Sequence, residues 1–189
     1  ARGYAARWIS DSSTVELDFQ ELRNLVRVFS RIVDAKSKFT REHSEGVAAL
    51  ARYLGEMFSL PERTCELLEL AGLLHDLGKL RVPDELLEKK GKLTQLEYAD
   101  VRRHSFDTYN ILKDIHGLED VALWAGQHHE RIDGSGYPQH TAKNELSFES
   151  RIIAAADVFQ ALAQVRPYRG SLPPTEILRI LQEQAKTGK

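Results

Sequence analysis

Apolar residues recur along the chain at three- and four-residue steps, interrupted by proline, glycine or a capping residue, and that is the period of amphipathic helices. From Thr14 to about Ala35 the step is kept by Val15, Leu22, Leu25, Val26, Phe29, Ile32 and Val33, which predicts a first helix able to dock on a core or relay motion from an upstream module. Thr40 is placed to cap a second helix, whose apolar face is Val47, Leu50, Ala51 and Leu54. Pro61 suits the first turn of a third, running through Leu67, Leu68, Leu70 and Ala71 to Leu74. A short helical piece is expected near Asp84 to Glu88. Thr94-Gln95-Leu96-Glu97 is a capping box that opens a helix carrying His104. Helices are also expected over Leu118 to His129, over Phe148 to Leu162, which is apolar nearly all round, and from Pro173-Pro174-Thr175 to Gln184. The glycine-rich stretch Asp133-Gly134-Ser135-Gly136-Tyr137-Pro138 stands between the first two of these, in a loop long enough to suggest function. No strand pattern or internal repeat is present. The fold class expected is all-α: one helical-bundle domain of about seven helices over residues 14–189, with residues 1–13 as a linker or the remnant of a preceding domain.

Composition narrows the class without identifying it. A chain of 189 residues, 42% of them hydrophobic, can fill one core. A net charge of −2 and a pI near 6.4 give no pull toward nucleic acid or an anionic membrane, so no DNA partner is expected and an anionic substrate must be held by local charge. Cys65 is the only cysteine, which excludes an internal disulfide, suits a buried filler role and agrees with a cytoplasmic location. No apolar run approaches the roughly 18 residues of a membrane span. The only methionine is Met57, so a fragment of a longer protein is expected.

The stretch Leu73-Leu74-His75-Asp76-Leu77-Gly78-Lys79 changes the picture. An imidazole and a carboxylate end an apolar run, where Asp76 could bridge two cations, His75 could bind one of them, and Lys79 could reach a substrate anion. The same pair could simply finish a helix, with Gly78 as its left-handed last residue. Other positions decide between these. Of seven histidines, His43 falls in a first turn, His104 in mid-helix, and His128 and His129 side by side before the glycine loop. His116 and His140 read as surface residues. Asp157 stands inside an apolar helix, where a carboxylate is costly unless paired or metal-bound. Five imidazoles with Asp76 and Asp157 are too many ligands for one zinc and suit two octahedral-type cations sharing a carboxylate, assembled from facing helices.

These stretches, together with Thr40-Arg41-Glu42-His43-Ser44, Arg103-His104, His128-His129-Glu130, Ala156-Asp157-Val158-Phe159 and Arg166-Pro167-Tyr168-Arg169, resemble the HD-GYP domain, a branch of the HD metal-dependent phosphohydrolases, in the family's order over residues 14–185. The resemblance implies a helical bundle that hydrolyses cyclic di-GMP to the linear dinucleotide or on to GMP in bacterial signalling, with some members taking cyclic GMP-AMP. It implies His43, His75, Asp76, His104, His128, His129 and Asp157 as ligands of two divalent metals, iron or manganese, with Asp76 bridging. Lys79 would stabilise charge on the scissile phosphate. Gly136, Tyr137 and Pro138 match the substrate-side loop, and Arg166 and Arg169 match positions that meet the dinucleotide. The resemblance also implies an N-terminal sensory or receiver domain in the full-length protein and leaves room for a homodimer.

Three departures from the family pattern carry expectations. Phe39 stands where members with a third metal carry glutamate, so two metals are expected. Gln160 replaces a substrate-side aspartate, which bears on substrate choice and rate. The family's segment after the last helix is absent, which bears on the pocket's outer wall. Two further classes stay open: a cyclic-dinucleotide-binding module with little turnover, and a general HD hydrolase of another phosphoester, against which the Tyr137-Pro138 loop argues.

Overall fold

The structure, a computed structural model, describes residues 16–36, 42–142, 144–164 and 170–188, and among these every regular element is helical. In chain order they are α1 (Phe19–Lys36), α2 (His43–Met57), α3 (Glu62–Leu74), a 3-10 turn (Leu77–Arg81), α4 (Asp84–Leu87), α5 (Gln95–Leu112), α6 (Glu119–Gly126), α7 (Phe148–Ala163) and α8 (Pro174–Thr187). The expected all-α bundle is what forms.

Helix α3 is the axis of that bundle. It is apolar on nearly every side, with Leu68, Leu70 and Ala71 fully buried, and α2, α6, α7 and α1 pack around it. Burying a side chain such as Leu70 contributes about 1.5–3 kcal/mol, and α3 carries several of them. Gly72 lets α2 come close, since a Cβ there would lie 2.6 Å from the Cα of Ala48. Cys65 is buried as filler. The capping box of α5 forms as expected, Glu97 N–H donating to the Thr94 hydroxyl and Thr94 N–H to the Glu97 carboxylate.

Several sequence expectations need correction. Helix α1 buries Val26 and Val33 in the core and packs Phe19 and Leu22 partly against it; Leu25, Phe29 and Ile32 stay 46%, 43% and 49% exposed, because the helix rests on one side against α3, α2 and the 3-10 turn. Thr40 and Val15 lie outside the described residues, as do residues 1–13 and Phe39. Helix α2 opens at Glu42, a residue at φ 69° whose side chain makes no cap. Pro61 is the residue before α3, not within it. Helix α6 stops at Gly126, three residues earlier than its pattern suggests. One side of α7 faces a cavity through Ala154, Ala155 and Val158, so that helix is not buried all round.

The missing cap of α2 is supplied from another helix. Asp34, near the end of α1, accepts from the Ser44 hydroxyl at 2.8 Å and the Ser44 backbone N–H at 3.3 Å. A buried carboxylate thus satisfies a donor in the first turn of α2, next to His43. Asp34→Ala should destabilise the fold by about 1–3 kcal/mol, read as a lower urea midpoint at unchanged slope. An unchanged midpoint would remove the tertiary cap from this account.

Candidate metal centre

Three histidines are oriented by the same local device. The Nδ1–H of His75 donates to the carbonyl of Gly72 at 2.7 Å, that of His104 to Val101 at 2.6 Å, and that of His128 to Ala125 at 2.6 Å. A carbonyl oxygen can only accept, so each Nδ1 carries a proton and each Nε2 is the atom turned inward, a lone pair wherever the ring is neutral. The rings then meet at those atoms. His104 Nε2 stands 3.3 Å from His128 Nε2 and 3.4 Å from Asp76 Oδ1, and His75 Nε2 stands 3.4 Å from Asp76 Oδ2.

The remaining ligand candidates close the group. His43, the first residue of α2, brings Nε2 to 3.1 Å from Asp157 Oδ1, and Asp157 Oδ2 lies 4.0 Å from His129 Nδ1. Sets of three that could each hold one ion are His43, His75 and Asp157; His75, Asp76 and His128; and His104, His128 and His129. The structure therefore brings together all seven residues expected as ligands. Lys79 reaches back to pair with Asp76 Oδ2.

Electrostatics support a cation at this point. Burial, and for His128 the nearby imidazoles, push His104 and His128 below the ordinary histidine value, so two neutral rings face each other with lone pairs. Burial also holds His129 down at about 3. For Asp76 burial opposes ionisation, but Lys79, His75 and His104 outweigh it and keep the carboxyl well below its usual value. Asp157 behaves alike, burial being overcome by His43, His75 and the doublet. Two buried ring nitrogens, His75 Nε2 and His43 Nδ1, have no hydrogen-bond partner among the described residues. Burial opposes a charge on His75, but without a cation between them Asp76 and then Asp157 push it up to about 9, so that ring takes the positive charge itself. Neutral His104, His128 and His129, ionised carboxylates and a buried His75 Nε2 with no hydrogen-bond partner are the donor set of a divalent metal site, and the residues fit one.

Backbone contacts fix the frame. A Cβ on Gly78 would lie 2.0 Å from the carbonyl oxygen of His104. Gly78 is absent from the positive-φ residues, so it serves this close approach and not a left-handed helix end. Its N–H donates to Thr108 Oγ1, whose hydroxyl donates to the His75 carbonyl. After the histidine doublet, which sits in a turn beyond α6, the buried Glu130 accepts from Gln139 N–H at 2.6 Å and Thr141 N–H at 3.0 Å. That folds the glycine loop back over the site. Gly136 lies so near that a Cβ would meet the His129 carbonyl at 2.5 Å, Tyr137 N–H donates to the same oxygen, and the Tyr137 ring lies 4.7 Å from the His129 ring.

Beside His128 and His129 opens a cavity of about 630 Å³, lined by the loop, by α5 and α7, and by Leu181, Gln184 and Ala185 of α8, which furnishes part of the outer wall. Gly136 and Tyr137 line it; Pro138, joined to Tyr137 by a cis peptide, does not. Gln160 is not in the wall either, its amide lying against Gly46 of α2. Arg166 and Arg169 fall outside the described residues. Sequence reasoning missed Arg102, Arg131 and Arg151, which all line the cavity. His116 and His140 are exposed, as expected.

Helices that close imidazoles and carboxylates on a shared centre define a metal-binding helical domain. The chain belongs to the HD domain family, which matches residues 27–189. It is 44% identical over 174 residues, 92% of this chain and 40% of the relative, to the 3′3′-cGAMP-specific phosphodiesterase 1 of Vibrio cholerae. It is 40% identical over 150 residues, 77% of this chain and 36% of the relative, to a cyclic di-GMP phosphodiesterase of Pseudomonas aeruginosa. Among solved structures, a cyclic GMP-AMP specific phosphodiesterase of V. cholerae covers all of the chain, over 43% of its own length, with a TM-score of 0.58 and 33% identity. The chain thus spans about 40% of the length of the first of these curated relatives.

Adding Mn²⁺ should raise the melting temperature of the protein, because an ion that binds only the folded state stabilises it. His104→Ala or His128→Ala should weaken Mn²⁺ binding by about tenfold or more while leaving the helical circular dichroism intact. Unchanged binding in both variants would mean that the facing nitrogens are a packing feature.

Proposed function

We propose that the chain is a metal-dependent phosphodiesterase acting on the 3′–5′ linkage of a guanine-containing cyclic dinucleotide, either cyclic di-GMP or 3′3′ cyclic GMP-AMP. The observation that carries the reading is the pair of neutral, inward lone pairs of His104 and His128, 3.3 Å apart beside the ionised Asp76. Relatives named for both substrates support the dinucleotide, and so does the cavity. Its volume is in the range of small-ligand sites, and Arg102, Arg131 and Arg151 line it in a chain of net charge −2. Local charge thus meets the need of a dianionic ligand.

Two divalent cations would be held by His43, His75, Asp76, His104, His128, His129 and Asp157; the mixed imidazole and carboxylate set suits iron or manganese. When bound, they would supply Lewis-acid polarisation of a phosphoryl oxygen and acidify water. The other roles belong to the chain's own side chains. Lys79, paired with Asp76, adds positive charge where phosphoryl oxygens gain negative charge. His129, with a side chain 30% exposed, marks the edge at which the cavity meets the centre, and Tyr137 covers its ring. Water adds to phosphorus, the bond to the 3′ oxygen breaks, and that oxygen leaves with a proton, giving a linear dinucleotide with a 5′-phosphate and, on a second round, mononucleotides.

Protein loaded with Mn²⁺ or Fe²⁺ should convert cyclic di-GMP or cyclic GMP-AMP to linear product, and Asp76→Asn should lose both metal and at least about a hundredfold in turnover. Stoichiometric binding with the ligand recovered intact would make the chain a binding module. Hydrolysis of simple phosphoesters in preference to both dinucleotides would make it a general HD hydrolase.

A further inference from the structure

Arg102 lines the cavity, and beyond its charge the reaction outlined above gives it no particular contact. Its guanidinium carbon lies 4.2 Å from the ring centroid of Tyr137 and 5.7 Å from that of Tyr98, one turn earlier on α5. Neighbouring Arg103 turns instead toward Asp107, and no described carboxylate pairs with Arg102. The half-buried guanidinium thus lines the cavity with no carboxylate partner, its carbon set over aromatic rings.

The stack gives a sense of position. His129 belongs to the metal centre, Tyr137 covers His129, and Arg102 covers Tyr137. A phosphate seated at the centre is separated from its own base by a ribose. Its base can therefore lie outward of His129, on the side of Tyr137 and Arg102. The guanidinium and the neighbouring Tyr98 ring put planar groups at the cavity wall, which a base can use and a phosphate cannot.

The donor pattern then selects among bases. A guanidinium presents paired N–H donors and no acceptor. Guanine offers O6 and N7 as adjacent acceptors, whereas adenine sets an N6 amino donor beside N7. We propose that Arg102, backed by Tyr98 and Tyr137, forms a guanine-reading subsite of the cavity. This rests on the cyclic-dinucleotide reading above and adds to it the group that recognises the base both substrates share.

The test compares metal-loaded wild type with Arg102→Ala, Arg102→Lys and, as a surface-charge control, Arg103→Ala. Steady-state kinetics are taken on cyclic di-GMP, cyclic GMP-AMP and cyclic di-AMP, and calorimetric binding is measured for GMP and AMP. Arg102→Ala should raise KM for the guanine-containing dinucleotides about tenfold or more, keep kcat within about threefold, and leave metal content and melting temperature at wild-type values. GMP binding should weaken while AMP binding does not. Arg102→Lys, which keeps the charge and loses the fork, should not restore the preference for guanine.

Loss of metal or of kcat at constant KM in Arg102→Ala would overturn the proposal and make the arginine a tie for the loop over His129. Equal weakening of GMP and AMP, restored by lysine, would overturn it in favour of a phosphate contact. If wild type hydrolyses no cyclic dinucleotide, the phosphodiesterase reading fails by itself. The mononucleotide arm then still decides the subsite: an Arg102-dependent preference for GMP over AMP supports it, and no preference overturns it.

Discussion

Everything at the centre of this protein depends on three short hydrogen bonds from histidine Nδ1 to the carbonyl three residues earlier. They turn the Nε2 atoms of His75, His104 and His128 toward one another in a buried place. The neutral rings of His104 and His128, whose lone pairs converge beside ionised Asp76, repel one another unless something positive lies between them. The helices supply that geometry from their last turns or mid-span, so ligand direction is set by backbone and does not await the ion.

Close backbone approach is what allows helices distant in sequence to share the centre. Gly78 lets the turn after α3 touch α5 at His104, and Gly136 lets the loop lie on His129. Between them Thr108 and Glu130 bind backbone groups that would otherwise be buried and unpaired. Away from the centre, Glu69 draws Arg23 and Arg52 together and ties α1 and α2 to α3. The first helix is thereby tied to α3 through Glu69 and to the start of α2, beside His43, through Asp34.

Much of this was legible in residue pattern, because helical period and burial of polar groups are local signals. The apolar steps marked the helices, and His75-Asp76 with Asp157 inside an apolar run marked the centre. What failed to show depended on tertiary contact. The period of α1 gave its apolar face but not that only part of it would be covered, leaving Leu25, Phe29 and Ile32 exposed. Gly78 looked like a helix terminator, and its real constraint is a carbonyl 26 residues on. The histidine doublet read as helix because nothing local announces that α6 ends at Gly126. Gln160 seemed to belong to the substrate side, yet it packs on Gly46. Arg102 had one faint cue, Tyr98 at the i−4 position of the same helix.

The cavity gives the centre its direction. It touches His128 and His129 and is lined by the glycine loop, by α8 and by three arginines, so positive charge lies beside the centre. The central claim is that two divalent cations occupy the space between these imidazoles and Asp76. Anomalous scattering from a crystal grown with Mn²⁺ tests it most directly. The account predicts two peaks roughly 3.5–4 Å apart, both in contact with Asp76. No peak within reach of His104 and His128 would contradict it.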